Sequence, residues 1–416
     1  MRNDRPIEWI DNRRSRLSGS NEYIKKIIPP GISRLSRAFH RQTPGYHISP
    51  LKSLNNLASM LGLGGIWVKD ESLRLDLNSF KVLGGSFAIY RYLRQRLGKD
   101  SKEISLAELK SREAKNKMGK ITFAAATDGN HGRGVAWAAR QLGQKSVIYV
   151  HKLTSPARIK AIERYGARVK IIKGTYDDAV RQIKVDAQKK GWQVISDTAW
   201  EGYEEIPAWV MQGYTTMFSE IQEELAAQGI IKPSHVFVQA GVGALSASLI
   251  GFYRNLFGLD APIVSVVEPA KAACLFQSAR IEDGEPHNLE GALDTIMAGL
   301  ACGEPSPIAW KILWEYADYF ISCPDYVAAK GMRVYGVPLA GDPFIVSGES
   351  GAVTLGALMF IIQRPEFHIL KEKLRLDPDS QVLLINTEGN TDPRFFRQVV
   401  WEGSEPVPDK YRSIEK

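Results

Sequence analysis

Lys81 stands out for its surroundings. In NSFKVLGG, residues 78–85, it follows a serine and an aromatic residue and opens an apolar-periodic run that reads as a helix through Leu93. Gly84 and Gly85 let a second backbone or a ligand approach near the helix start. A lysine held there loses its solvation shell, which disfavours the ammonium form. An amine that is neutral near pH 7 attacks a carbonyl and forms a Schiff base. Most lysines near a helix start are solvated surface groups, so the other chemistry-bearing stretches decide the reading.

Three stretches bear on it. TDGNHGRG, residues 127–134, brings Asp128, Asn130 and His131 to the carboxyl end of a strand, where open α/β sheets bind ligands. Its bland reading is a helix capped by Asp128 or Asn130. VFVQAGVGALSASL, residues 236–249, runs a buried strand through Gly241, Val242 and Gly243 into a helix, a nest of N–H groups suited to a phosphate. Gly241, Gly243 and Ser246 also half-match a dinucleotide fingerprint, with Glu268 where a ribose-binding acid would stand, but the third glycine is missing. INTEGNTD, residues 385–392, ends a strand on Thr387, a neutral hydroxyl able to meet a heteroaromatic nitrogen or simply to close a turn.

The elements that must position these groups alternate. From Lys120 to Ser196 the pattern reads strand, helix, strand, helix, strand, helix, strand, and it resumes from His235 to Pro269 and at 380–389. Such alternation specifies right-handed crossovers and parallel sheets with helices on both faces. Leu51 to Gly62 reads as one short helix and Gly65 to Ser72 as a strand. Two α/β blocks with no Pro/Ser-rich linker between them are expected to share a cleft.

Composition narrows the classes. The 416 residues are 44% hydrophobic and 24% charged, ordinary for a globular enzyme. Apolar runs are short and the start is charged, so neither a membrane span nor a secretory signal is expected, and the cytoplasm is the default location. Residues 1–41 hold ten Arg/Lys against four acids, so about +6 of the net charge of +8 lies in this leader. Without a nucleic-acid-binding motif, the leader reads as a solvated or packing arm. Cys274, Cys302 and Cys323 show no metal-ligand spacing, and no metal is expected.

The set of stretches resembles the fold-type II pyridoxal-phosphate enzymes, the tryptophan synthase β and threonine dehydratase group, and within it the diaminopropionate ammonia-lyases. The resemblance runs from about Phe39 onward and rests on NSFKVLGG, TDGNHGRG, ISDTAWEGYEEIP (195–207), TIMAGLACGEPS (295–306) and INTEGNTD. Asp128 stands where dehydratases of the group usually carry serine, and Ala244 and Leu245 follow Gly243 where a four-glycine loop is common. The resemblance implies a two-lobed fold, with a large cofactor-binding domain at 1–85 and 199–416 and a smaller, potentially mobile one at 86–198. It implies that Lys81 holds pyridoxal 5'-phosphate as a Schiff base, Asn130 bonds its phenolic oxygen, Gly241, Val242 and Gly243 receive its phosphate, and Thr387 faces its pyridine nitrogen. It further implies Asp128 and Asp197 as the acidic pair of the substrate pocket, with Lys81 the base for an L-amino acid and Asp128 for the D-isomer. The expected reaction is α,β-elimination of 2,3-diaminopropionate to pyruvate and two ammonia by a homodimer with no nucleic-acid or membrane partner. The alternatives are a serine or threonine dehydratase, for which two aspartates are oddly acidic, a nicotinamide oxidoreductase, which leaves Lys81 unexplained, and a non-catalytic protein that keeps the fold.

Overall fold

The computed structural model describes residues 7–16, 19, 21–99 and 103–412. Of the basic leader, residues 1–6, 17, 18 and 20 lie outside the described ones. Eleven strands appear among the described residues: β1 Glu8–Asp11, β2 Leu51–Ser53, β3 Gly65–Asp70, β4 Thr122–Thr127, β5 Lys145–His151, β6 Arg168–Ile172, β7 Gln193–Val194, β8 His235–Gln239, β9 Ile263–Pro269, β10 Tyr319–Cys323 and β11 Gln381–Asn386. They form two sheets, a larger one of order β1-β10-β9-β8-β11-β3-β2 and a smaller one of order β6-β5-β4-β7. The smaller sheet is parallel throughout, as the strand and helix alternation requires. In the larger sheet the interior is parallel and both edge strands are antiparallel, β1 on β10 and β2 on β3. Every residue of β8 and β10 is buried, which is why these strands read as continuous runs and not as an alternation.

One expectation changes, and one open alternative is decided for part of the leader. Leu51 to Gly62 is not one helix: Leu51, Lys52 and Ser53 pair with Lys69, Val68 and Trp67, and the helix occupies only Asn55–Leu61. Edge pairing gives the residues after Pro50 backbone partners that a short isolated helix would not match. The leader contributes β1 as well as the buried helix face of Ile32–His40, so part of it packs and does not hang in solvent.

The lysine helix, Lys81–Arg96, is clasped between two others. A Cβ on Gly84 would come within 2.5 Å of the Tyr214 ring in Glu205–Ala227, and one on Gly213 within 2.4 Å of the Leu83 carbonyl oxygen. On its other flank, a Cβ on Gly134 of the helix Asn130–Gln141 would stand 2.8 Å from Val82 Cα. These glycines are there for close approach. Just upstream, Leu75, Asp76 and Asn78 all take left-handed backbone angles, φ 51, 56 and 51°. A fully buried charge network holds this segment: Arg74 Nη2 donates to Glu71 Oε1 at 2.7 Å and Glu220 Oε2 at 2.6 Å, and Lys69 Nζ lies 3.2 Å from Glu220 Oε2. Burial alone would raise the Glu220 carboxyl, but Arg74 and Lys69 hold it below its ordinary range.

His40 fastens the clasp from the side. Its Nε2 donates to the Leu83 carbonyl at 3.0 Å, and Nδ1 meets the Thr216 hydroxyl at 2.7 Å. Burial, with Arg74 nearby, lowers its pKa from 6.5 to about 3, so the folded protein keeps the ring neutral. The sign follows from linkage: below pH 6.5 the unfolded chain takes up a proton that the folded one refuses, so stability falls as pH drops from 6.5 towards 3, by about 1.4 kcal/mol per pH unit from this group. Urea titrations of wild type and His40→Gln across that window should converge at this slope as the pH is lowered. Parallel stability curves would show that His40 is not held neutral.

Candidate active site

The cavity forms at the carboxyl ends of β4, β8 and β11, in a cleft enclosing about 630 Å³ of non-atom space, open solvent included. Lys81 is the first residue of its helix, and its side chain, 17% exposed, reaches into this space. Nζ donates to Asp197 Oδ2 at 2.5 Å, while Tyr176 donates its hydroxyl to Asp197 Oδ1 at 2.8 Å. Burial works against the ammonium, but Asp197, with Tyr214 and Asp128, outweighs it and holds the Lys81 pKa above its ordinary value. The desolvation expected from the sequence is present, and in the free lysine the paired carboxylate opposes its effect. Asp197, for its part, is penalised by burial yet held below the usual carboxylate range by Lys81, His131 and the Tyr176 bond.

The loop after β4 is not built as a side-chain cap by Asp128 or Asn130. Gly129, at φ 146°, is the residue before the helix, and Thr127 Oγ1 accepts from the N–H groups of Gly129 at 2.8 Å and Gly132 at 3.0 Å. Asp128 Oδ1 accepts from the Thr127 hydroxyl at 3.4 Å, and its Oδ2 is buried with no hydrogen-bond partner among the described residues. Asn130 Nδ2 donates to Glu388 Oε2 at 2.6 Å. His131 is fully buried, with Nε2 donating to Ile195 O at 2.8 Å.

After β8, Gly241, Val242 and Gly243 line the same cavity, followed by Ala244 and Leu245 in the first turn of the helix Ala244–Phe257. Gly243 is left-handed at φ 95°, and a Cβ on Gly241 would stand 3.0 Å from Cys302 Sγ, so both positions require glycine or nearly so. The first N–H groups of that helix have no intrahelical acceptor. Glu268 does not join them. It is fully buried and accepts from Leu275 N at 2.9 Å and Phe276 N at 2.7 Å, its carboxyl pushed up to about 8 by burial. Ser246 donates back to Gly243 O at 3.2 Å. The dinucleotide alternative thus loses its acid to a helix end. Thr387, after β11, accepts from Gln239 Nε2 at 2.8 Å.

Lys81, Asp128, Asn130, Asp197, Gly241, Val242, Gly243 and Thr387 all line this one cavity. Sequence reasoning missed Tyr176, Tyr214, Gln239, Ser350 and Glu388. Glu388 was within reach, one residue past Thr387, whereas Tyr214 lies mid-helix and only packing brings it to Lys81. Gly299, Leu300 and Cys302 fall within the TIMAGLACGEPS stretch and close the wall. All three cysteines are free and buried.

Residues 42–388 match the family described as "Pyridoxal-phosphate dependent enzyme". The chain belongs to this family of pyridoxal-phosphate dependent enzymes. It is 47% identical over 398 residues to the diaminopropionate ammonia-lyase of Salmonella typhimurium, covering 95% of this chain and 98% of that protein. It also superposes on the crystal structure of the diaminopropionate ammonia-lyase of Escherichia coli in complex with D-serine, with a TM-score of 0.89, 44% identity and coverage of 97% and 99% of the two chains. The structure of the same E. coli enzyme with an aminoacrylate-PLP azomethine reaction intermediate gives a TM-score of 0.87 at 44% identity, covering 96% of this chain and 98% of that one.

The residues present fit pyridoxal phosphate. A lysine amine stands at one wall, a glycine cradle and a helix N-terminus at a second, and a neutral hydroxyl at a third, while Asp128 Oδ2 is a buried oxygen awaiting a donor. Lys81→Ala should lose turnover and the visible absorption that borohydride fixes in a lysine-linked cofactor enzyme. A covalent pyridoxyl adduct on the Lys81→Ala protein would sink this role.

Proposed function

We propose that this chain eliminates ammonia from 2,3-diaminopropionate, giving pyruvate and two ammonia, with pyridoxal phosphate as cofactor. The observation that carries it is that two aspartates, Asp197 bonded to the amine of Lys81 and Asp128 beside them, line one cavity of a chain so similar to diaminopropionate ammonia-lyases. A substrate with two amino groups brings a second ammonium into the cleft, which is costly unless a carboxylate meets it. A dehydratase of hydroxy amino acids has no such requirement.

When bound, the cofactor supplies an electron sink that makes the α-proton labile. Lys81 would hold it through Nζ, with Gly241, Val242 and Gly243 on the phosphate, Asn130 on the phenolic oxygen and Thr387 on the ring nitrogen. Lys81 Nζ, as the unprotonated amine, would take the α-proton of the L-isomer. Asp197, 2.5 Å away, would stabilise the ammonium so formed, and that ammonium carries the proton the β-nitrogen needs as ammonia leaves. Tyr176 fixes the second oxygen of Asp197, so that carboxylate keeps its orientation while its partner changes. Asp128, unpartnered at Oδ2, is the base for the D-isomer. A homodimer and a cytoplasmic location remain part of the proposal, the first resting on family resemblance; no helix of the described residues is long and apolar enough to cross a membrane. So does the division into 1–85 with 199–416 and 86–198, supported by the confinement of β4 to β7 to the second stretch.

Pyruvate release from D- and L-2,3-diaminopropionate, serine and threonine tests the reading. The diamine should be the best substrate, and faster turnover of serine or threonine would overturn it. Asp128→Asn should then cut D-isomer turnover by a factor on the order of 10² to 10⁴ and affect the L-isomer less, while Asp197→Asn should impair both. Equal losses for the two isomers in Asp128→Asn would refute the two-base scheme.

A further inference from the structure

The mechanism leaves one cavity carboxylate unused. Glu388, 1% exposed, follows Thr387 and is fixed at both ends. Its backbone bridges Ser79, two residues before Lys81, and its carbonyl accepts from Gly348 N at 3.0 Å. In the side chain, Oε1 accepts from Ser350 N at 3.2 Å in the first turn of the helix Glu349–Gln363. Oε2 reaches the other way, to Asn130 Nδ2 at 2.6 Å, with the Thr391 hydroxyl at 3.5 Å. A plain cap on the helix at Glu349 would need only the first of these oxygens. The second crosses to the helix that follows β4 of the smaller sheet.

The charged groups that face Glu388 are Glu349, Arg158 and Asp128. Arg158 is committed elsewhere, donating to Glu349 Oε1 at 2.7 Å. Glu388 is therefore met by hydrogen-bond donors and not by a directly bonded cation, and the shortest of those donors is the Asn130 amide. An amide nitrogen carries two hydrogens. With one taken by Glu388, the other remains for a second acceptor, and Asn130 lines the cavity.

We propose that Glu388 is a positioning residue for the cofactor, acting through Asn130: it fixes the amide so that a donor, and not an acceptor, faces an anionic oxygen in the cavity. This rests on the reading that Asn130 meets the cofactor's phenolic oxygen. Burial, with Glu349 and Asp128 nearby, raises the Glu388 carboxyl, and in its ionised form the bond to Asn130 is charge-assisted, which both shortens the contact and selects the orientation. A glutamine at 388 keeps the shape but can offer its own N–H to the Asn130 oxygen, which allows the amide to turn round and present that oxygen to the cofactor.

The test compares Glu388→Gln with wild type on two backgrounds, native and Asn130→Ala, in the holoenzyme. Two quantities are read, the dissociation constant of pyridoxal phosphate by fluorescence titration and the pH midpoint of its visible band. With Asn130 present, Glu388→Gln should weaken cofactor binding about tenfold or more, the loss expected for a hydrogen bond to a charged group, and should move the midpoint. On the Asn130→Ala background the same change should alter binding by no more than about twofold, because the partner is already gone. Equal factors on both backgrounds overturn this proposal alone, since Glu388 would then act only through the helix at Glu349. No change in binding or midpoint for Asn130→Ala overturns the Asn130 assignment and this proposal with it. If Glu388→Gln yields no folded holoenzyme, Glu388→Asp, which keeps the charge and withdraws it by one methylene, carries the same comparison with the same two outcomes.

Discussion

Burying an ammonium is the constraint around which this cavity is arranged. Lys81 is drawn out of water by the helices on both sides of it, and a lone buried ammonium would give up its proton or drive the helix outward. Asp197 removes that penalty, and Tyr176 and His131 in turn make the carboxylate tolerable. The balance is local and uneven. Around the cavity and its rim stand Asp128, Asp197, Glu349 and Glu388 against Lys81 and Arg158. An otherwise basic chain therefore presents a pocket with more carboxylates than cations, which suits a ligand that brings positive charge with it.

The pocket owes its shape to contacts some distance from it. Thr387 O accepts from Phe80 N at 3.2 Å, Ser79 bridges Glu388, and Gly389 N donates to Asn78 O at 3.0 Å, so the end of β11 is stitched to the three residues before Lys81. Leu75, Asp76 and Asn78 can hold their left-handed turns because Arg74 is anchored in the Glu71 and Glu220 carboxylates, and Glu220 belongs to the same long helix whose Gly213 receives the lysine helix. One helix thus fixes both the strained approach to Lys81 and the angle at which the lysine enters. Losing either Arg74 carboxylate would leave a buried guanidinium short of a partner, so the network is more costly to break than to build.

Much of this was legible in the sequence, and the reasons it was legible explain the rest. The β4 to β7 sheet followed from apolar runs alternating with helices, because parallel strands covered on both faces carry a continuous apolar signal. Lys81, Asp128, Asn130, Thr387 and the Gly241 loop could be found because each stands at a strand end or helix start marked by glycine or by turn residues. Tyr214 carries no such punctuation, because it sits in the middle of a helix and only packing brings it to the cavity. Tyr176, first in its helix after Gly174 and Thr175, and Gln239, last in β8, stand at marked positions, but a side chain there looks like an ordinary surface group until the tertiary fold buries it. The partner of Lys81 was hidden for a related reason: sequence shows that a lysine is near apolar neighbours, but not that Asp197, more than a hundred residues later, will lie against its amine.

The arrangement around Thr387 carries the argument one step further. Gln239 Nε2 has the carbonyls of Ser350 and Ile385 as acceptors, each at 3.0 Å, and those two carbonyls fix which end of the amide is nitrogen. The same nitrogen lies 2.8 Å from Thr387 Oγ1, its two hydrogens shared among three acceptors, and an amide nitrogen accepts nothing, so the Thr387 O–H is left to donate elsewhere. A donor matches a ring nitrogen that keeps its lone pair. Under the proposed assignment of Thr387, the cofactor ring would stay unprotonated, and a ring without that positive charge draws less of the carbanion's charge into itself. Charge retained near the α-carbon is available to expel a β-substituent, which favours elimination over reprotonation and transamination. On this account Gln239 takes part in choosing the reaction by deciding which way a threonine hydroxyl points.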